Sequence, residues 1–222
     1  MKLFHPVIFF LLFSVSGCNT DELVNELTNS EITAKSEVGE VISTARTNFT
    51  NDANLTAIYG LNVNNNGKID LLKPTENAFI YVVQSDSDQT NEFYVPVFNS
   101  SPVKSLVNFN DMLSLVKNAQ AKNILGFVFG KLSTIHIAPS VNYADSPDVL
   151  NKMFARSDVT SFRASNPNSK IDMFLIPSKS LDTLNVRNDA DWIVNFYSDN
   201  TSLVLWLHPG TTSGTIDILS GD

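Results

Sequence analysis

Few side chains in this sequence could do acid–base, nucleophilic or metal chemistry, and their spacing limits what that chemistry could be. Carboxylates recur in close pairs at Asp86/Asp88, Asp145/Asp148 and Asp189/Asp191. A glycosidase needs two carboxyls facing each other across a cleft. These pairs lie among Ser and Asn, where Asp is ordinary turn chemistry. A Ser-His-Asp triad would have to use His136 or His208, since His5 sits in the apolar N-terminal stretch. His136 lies in Ile135-His136-Ile137, an alternation that points it away from its apolar neighbours on a strand. His208 precedes Pro209-Gly210 and reads as a turn residue at a strand end. Gly210-Thr-Thr-Ser213-Gly214 is not a G-x-S-x-G elbow, because its serine falls one place late.

Asn62-Val-Asn64-Asn-Asn66-Gly67-Lys-Ile69-Asp70 resembles the first nine positions of an EF-hand or dockerin calcium loop. Asn62, Asn64, Asn66 and Asp70 are the ligands it offers. It departs at the first ligand, Asn rather than Asp, and at the twelfth, where Lys73 replaces a bidentate carboxylate. A tight Asn-Gly turn between short strands at 61–64 and 68–72 is the reading preferred. Ser101-Pro-Val-Lys104 and Ser114-Leu-Val-Lys117 fit S-x-x-K, and Ser198-Asp199-Asn200 fits the S-D-N of serine β-lactamases. With 24 Ser and 11 Lys, chance alone supplies about one such pairing. No K-T-G follows, and no P-loop, dinucleotide fingerprint or H-E-x-x-H occurs, so no cofactor is expected.

The N-terminus carries a more specific pattern. Lys2 precedes a mostly apolar stretch, Leu3 to Val15, too short for a spanning helix, which needs ~20 apolar residues. It ends in Val15-Ser16-Gly17-Cys18, which resembles a bacterial lipobox: an aliphatic residue, two small residues, then cysteine. The resemblance implies diacylglycerol on the Cys18 thiol, cleavage between Gly17 and Cys18, and acylation (palmitate-type) of the new amine. Two or three acyl chains anchor firmly, at roughly 0.8 kcal/mol per buried methylene. Cys18 is the only cysteine of the chain. Under the rule by which Asp after the cysteine retains a lipoprotein in the inner membrane, Asn19 favours the outer membrane, facing periplasm or cell surface.

Composition sets the remaining bounds. The 222 residues carry a formal charge of −8, and −9 once Lys2 is removed with the signal peptide. Nucleic acid is not an expected partner, because phosphate contacts need clustered Lys and Arg. Apolar residues make up 43%, enough to bury a core. One cysteine excludes a disulfide framework, and with three histidines it argues against a zinc ribbon. The expected organisation is a signal peptide over 1–17, a polar tether over 18–35 and one globular domain over 36–222.

Within that domain the pattern predicts a helix over 36–49 capped by Ser36, then a hairpin of strands at 78–84 and 92–98. Pro96 places the second of these strands at an edge or a bulge. Asn110 could cap a helix with Met112, Leu113 and Val116 on its core face, and further strands are predicted at 124–129 and 133–138. Ser146-Pro147 reads as a helix start, with Val149, Leu150, Met153 and Phe154 sharing a face. Strands follow at 171–176, 192–197, 203–208 and 215–219, with 159–170 as the likeliest linker or long loop. Trp192, Phe196, Tyr197 and Trp206 fall in one hairpin, as core or as an aromatic binding platform. Asn is abundant, with 25 residues, and is assigned to turns and caps. The fold class is α+β, a mainly antiparallel sheet built from hairpins with a few packed helices.

Tyr94-Val95-Pro96-Val97-Phe98-Asn99-Ser100, then 106–116, then Gly126-Phe127-Val128-Phe129, resemble the N-terminal domain of the enhanced serine sensitivity family. The similarity spans 78–140, and in it Asn99 replaces a threonine and an Asn-Pro pair is missing. It implies an α+β binding module and carries no catalytic residue. The function expected is therefore a membrane-anchored envelope lipoprotein that binds or assembles an envelope protein or glycan without catalysis. The alternatives are an envelope glycan or cell-wall hydrolase, and an inhibitor or immunity-type lipoprotein whose acidic face blocks a basic enzyme site.

Overall fold

The computed structural model describes residues 31–72, 76–87, 92–98, 101–102, 137, 141–178, 189–199 and 201–219. Signal peptide, lipobox, His136, Asp88, the 110–116 helix and the 124–129 strand lie outside them. So do Lys104, Ser114, Lys117 and nearly all of the 133–138 strand.

Stretches rich in β-branched and aromatic residues form the strands, as pleated surfaces favour them. In chain order the elements are β1 (Glu31–Thr33), α1 (Val38–Asn48), β2 (Ala53–Leu61), β3 (Lys68–Asp70), β4 (Ala78–Ser85), β5 (Glu92–Phe98) and β6 (Ser101–Pro102). After these come α2 (Ser146–Phe154), α3 (Ser157–Ser165), β7 (Lys170–Pro177), β8 (Ala190–Tyr197), β9 (Ser202–His208) and β10 (Thr215–Ile218). Eight strands form one sheet in the order β10-β9-β8-β7-β2-β4-β5-β6, and every neighbouring pair is antiparallel. β1 and β3 pair separately. The protein is thus α+β with a mainly antiparallel sheet. Both expected hairpins, β4–β5 and β8–β9, are present. Among the described residues β6 pairs with Val97 and Phe98 alone, so Pro96 has a strand partner on one side only, Ile80 of β4, the edge position expected of a residue with no N–H to donate.

One face of the sheet carries the helices. Phe79, Tyr81 and Val83 of β4, Met173 and Leu175 of β7, and Trp192, Val194 and Phe196 of β8 are completely buried there. Val41 and Ala45 of α1 and Val149, Leu150 and Met153 of α2 pack into the same cluster. Each large side chain so buried contributes about 1.5–3 kcal/mol. Phe154 of α2 meets Phe196 with ring centroids 5.9 Å apart, and the Trp192 indole donates to Ala144 O at 2.9 Å. The other face is also withdrawn from water: Ala57, Tyr59, Ile80, Val82, Phe174, Ile176, Ile193 and Val204 are all buried. Alternation along β8 therefore splits the expected aromatic group. Trp192 and Phe196 are core beneath α2, while Tyr197 and Trp206 belong to the opposite face and are half-buried.

Four details differ from the pattern-based expectation. Residues 31–35, assigned to the tether, are built into the fold: Ala34 is fully buried, and Ile32 lies in the core cluster. Ser36 does not cap α1. Its hydroxyl instead closes a turn on Thr33, donating to the carbonyl at 2.9 Å and accepting from the amide at 3.2 Å. α2 starts with Asp145 as its N-cap, one residue early, and Ser146 and Pro147 fall inside its first turn. The segment 159–170 is not a linker: α3 fills most of it, anchored by buried Val159 and half-buried Phe162. So sparse an apolar stripe hides a helix from periodicity.

The Asn-Gly loop fastens these parts together. Asn64 Oδ1 accepts from the amides of Asn66 (2.9 Å) and Lys68 (3.1 Å), and Gly67 N donates to Asn64 O at 3.0 Å. Gly67 has φ +72, and a Cβ there would lie 2.5 Å from Pro147 N and Ser146 C. Both the left-handed backbone and the close approach require glycine. The Ser146 hydroxyl donates to Gly67 O at 2.6 Å and accepts from Ala34 N at 3.0 Å. Asp145 accepts from Ser146 N (2.8 Å), Lys35 N (3.0 Å) and the Thr33 hydroxyl (2.7 Å). Gly67→Ala is expected to destabilise the protein by ~2 kcal/mol or more. Urea denaturation measures this, and wild-type stability in the variant would contradict the packing described.

Candidate functional site

Three of the four calcium-loop candidates, Asn62, Asn64 and Asp70, have side chains already bonded within the fold. Asn64 Oδ1 is taken by two backbone amides, and Asp70 Oδ1 accepts from Leu72 N at 3.0 Å. Asn62, at φ 50, sends its amide side chain to Glu76 O at 2.8 Å. The loop is the expected turn between strands, running from the end of β2 at Leu61 to β3 at Lys68, although residues 62–64 are not strand and β3 pairs with β1. Among the described residues, no three His, Cys, Asp or Glu side chains gather as a metal site.

Two of the carboxylate pairs are divided between different roles, and Asp88 of the third lies outside the described residues. Asp145 caps α2, while Asp148 is exposed one turn on. Asp86 accepts from Asn54 Nδ2 at 2.7 Å. Asp189 is exposed, whereas Asp191, expected in a loop, lies inside β8 with no exposure. Asp191 receives the Ser178 hydroxyl at 2.5 Å and the Trp206 indole N–H at 3.0 Å. Ser198 of the S-D-N triplet closes the β8–β9 turn on Thr201 O at 2.9 Å. Near the start of β2, Asp52 accepts the hydroxyls of Thr50 and Ser85 and the amide of Ser87. Those bonds, that of Thr50 foremost, hold its carboxyl well below the usual range.

Polar groups that sequence reasoning missed sit on the sheet face away from the helices. Asp172 of β7 and Asn195 of β8 are cross-strand partners, 2% and 0% exposed. Asp172 accepts from Asn62 N at 2.8 Å and from the Tyr197 hydroxyl at 3.4 Å. Burial pushes its carboxyl up to about 6, against the opposing pull of the Asn62 amide, Tyr197 and Lys170. Among the described residues, neither amide atom of Asn195 has a hydrogen-bond partner. Breaks in an apolar alternation, Asp172 in IDMFLI and Asn195 in WIVNFY, are the sequence signal that marks both.

A second group lies at the β9–β10 end of the same face. Trp206 and His208 alternate on β9 with ring centroids 5.0 Å apart and planes at 45°. Asp217 of β10 stands directly across from Trp206, and its Oδ2 is 2.6 Å from His208 Nε2. Buried Asp191 fixes the indole from below. The Asp217 side chain is 65% exposed, the His208 side chain 20%, and β10 is the last strand of the sheet. Compared with protein-family models, with curated proteins and with solved structures, the chain matches none. None of the described helices is long and apolar enough to cross a membrane.

Two outcomes follow for the Asp172–Asn195 pair. The folded state holds the Asp172 proton more tightly than the unfolded chain, whose carboxyl keeps its ordinary value near 3.8. Its contribution to stability is therefore complete below that value and is lost as pH rises through about 6. The loss reaches at most ~3 kcal/mol, at ~1.4 kcal/mol per pKa unit. Asp172→Asn should remove this slope and raise stability at pH 7.5 relative to wild type, as read by urea midpoints across pH 4–8. Asn195→Leu removes two unpaired polar atoms of similar volume and should stabilise the fold by ~1–3 kcal/mol. A destabilised Asn195→Leu would mean that the amide is bonded in solution.

Proposed function

We propose that this chain is a bacterial envelope lipoprotein, anchored through acyl chains on Cys18, whose α+β domain is a non-enzymatic binding module. The observation that carries the anchor is Val15-Ser16-Gly17-Cys18 at the end of the apolar stretch, with the chain's sole cysteine where the lipobox requires it. Cleavage before Cys18 would remove the apolar stretch and leave lipid as the attachment. Asn19 favours the outer membrane as the destination.

Support for binding rather than turnover comes from how the candidate acids and hydroxyls are used. Asp145 and Ser146 fasten residues 33–35 and Gly67 to α2, and Asp191 orients Trp206. His208 is paired with a carboxylate, with Trp206 against its ring. These are the bonds of a rigid scaffold that presents a surface.

Cys18→Ala expressed in a bacterial host is expected to lose incorporation of a palmitate analogue and to retain the signal peptide. Unchanged lipid labelling of that variant would refute the anchor. Its partition into detergent should fall with the label, since one unprocessed apolar stretch replaces two or three acyl chains.

A further inference from the structure

We propose that Trp206, His208 and Asp217 form a carbohydrate-binding patch on the β9–β10 hairpin, its ligand a pyranose sugar laid against the Trp206 ring. Sugar recognition needs an aromatic surface for the apolar C–H face of the ring, held rigidly, with acceptors and donors beside it for the hydroxyls. The hairpin supplies each part. Alternation on β9 brings Trp206 and His208 to one face, and the antiparallel register sets Asp217 directly across from Trp206 and Thr215 across from His208. The indole is fixed at its nitrogen by Asp191, which is fully buried and held in turn by Ser178. So anchored, the ring loses little freedom on binding.

The polar rim is equally defined. Asp217 spends Oδ2 on His208, and its side chain is largely exposed, which turns its remaining acceptor capacity toward a sugar hydroxyl. The Thr215 hydroxyl donates to His208 O at 2.9 Å, on an exposed residue at the same end of the hairpin. A carboxylate beside an aromatic ring suits a neutral polyhydroxylated ligand and repels phosphate and other anions. Trp192 makes the contrast: it is larger in buried area, sits beneath α2, and bonds only inward, to Ala144 O.

The inference rests on the binding-module reading and names its ligand class, whereas the anchor on Cys18 stands or falls with lipid labelling alone. The test uses the full chain in detergent micelles, 15N-labelled, with chitotriose and maltotriose as probes. Two indole N–H signals are expected, Trp192 and Trp206, assigned by Trp206→Phe. Saturable movement of the Trp206 signal with either sugar below ~10 mM, the Trp192 signal staying in place, is the expected result. Measured by titration calorimetry, since the first variant lacks the reporting indole, Trp206→Ala should weaken binding at least tenfold, and Asp217→Ala, a change at an exposed side chain that the core does not need, severalfold. An unmoved Trp206 signal with both sugars, or wild-type affinity in Asp217→Ala and Trp206→Ala, overturns the patch. Lipid-labelled protein that binds neither sugar would refute the patch and leave the anchor intact.

Discussion

The antiparallel ladder between β2 and β7 is the contact on which the rest of the molecule hangs. Ile58 faces Leu175, Tyr59 faces Phe174 and Gly60 faces Met173. On one side lie β4, β5 and β6, on the other β8, β9 and β10, so this ladder joins two four-stranded halves through strands more than a hundred residues apart in sequence. Ladder bonds between such distant segments must repay a long loop closure. They do so here because both strands are buried on both faces, so each paired residue also removes apolar surface from water. Gly60 is part of that fit: a Cβ there would lie 2.6 Å from the Val63 side chain and 2.7 Å from the Phe79 ring.

Two further links brace the same seam. Just past the end of β2, Asn62 N and Val63 N donate to β7, to Asp172 Oδ1 and to Ile171 O. Asp172 is thus buried for a structural reason as well as an electrostatic one: it receives a backbone amide at the place where β2 leaves the ladder. A carboxyl so placed resists ionisation, and the fold tolerates it because the bond it accepts would otherwise be missing.

Much of this was legible before any coordinates. AFIYVVQ, IDMFLI and the two arms of the final hairpin declared themselves by β-branched and aromatic runs, and each is a strand within two residues of its expected limits. β2 was not legible. ANLTAIYGL mixes small and polar residues with few large ones, and both its faces are buried, so no alternation remains to be read. α3 hid because a single buried valine and one half-buried phenylalanine hold it. Of the paired aspartates, read as turn residues, Asp191 instead lies inside β8. Spacing along the chain gives no information on which side chains meet, and Asp191 was joined to Ser178 and Trp206 by folding, not to Asp189. The Trp206–His208–Asp217 patch needed a register between β9 and β10 that only the folded sheet supplies.

Ala34 has a mechanical role that its size conceals. Its amide donates to Ser146 at the start of α2, and its carbonyl accepts from the Tyr81 hydroxyl of β4 at 3.1 Å. Those two partners belong to different layers of the fold, Ser146 to α2 and Tyr81 to the sheet. A pull applied to the polypeptide ahead of Glu31 first meets the short β1–β3 ladder, then reaches a fully buried residue braced against helix and sheet at once. Tension is divided there between α2 and β4, so a drag on the N-terminal side is carried by helix and sheet together instead of peeling one from the other.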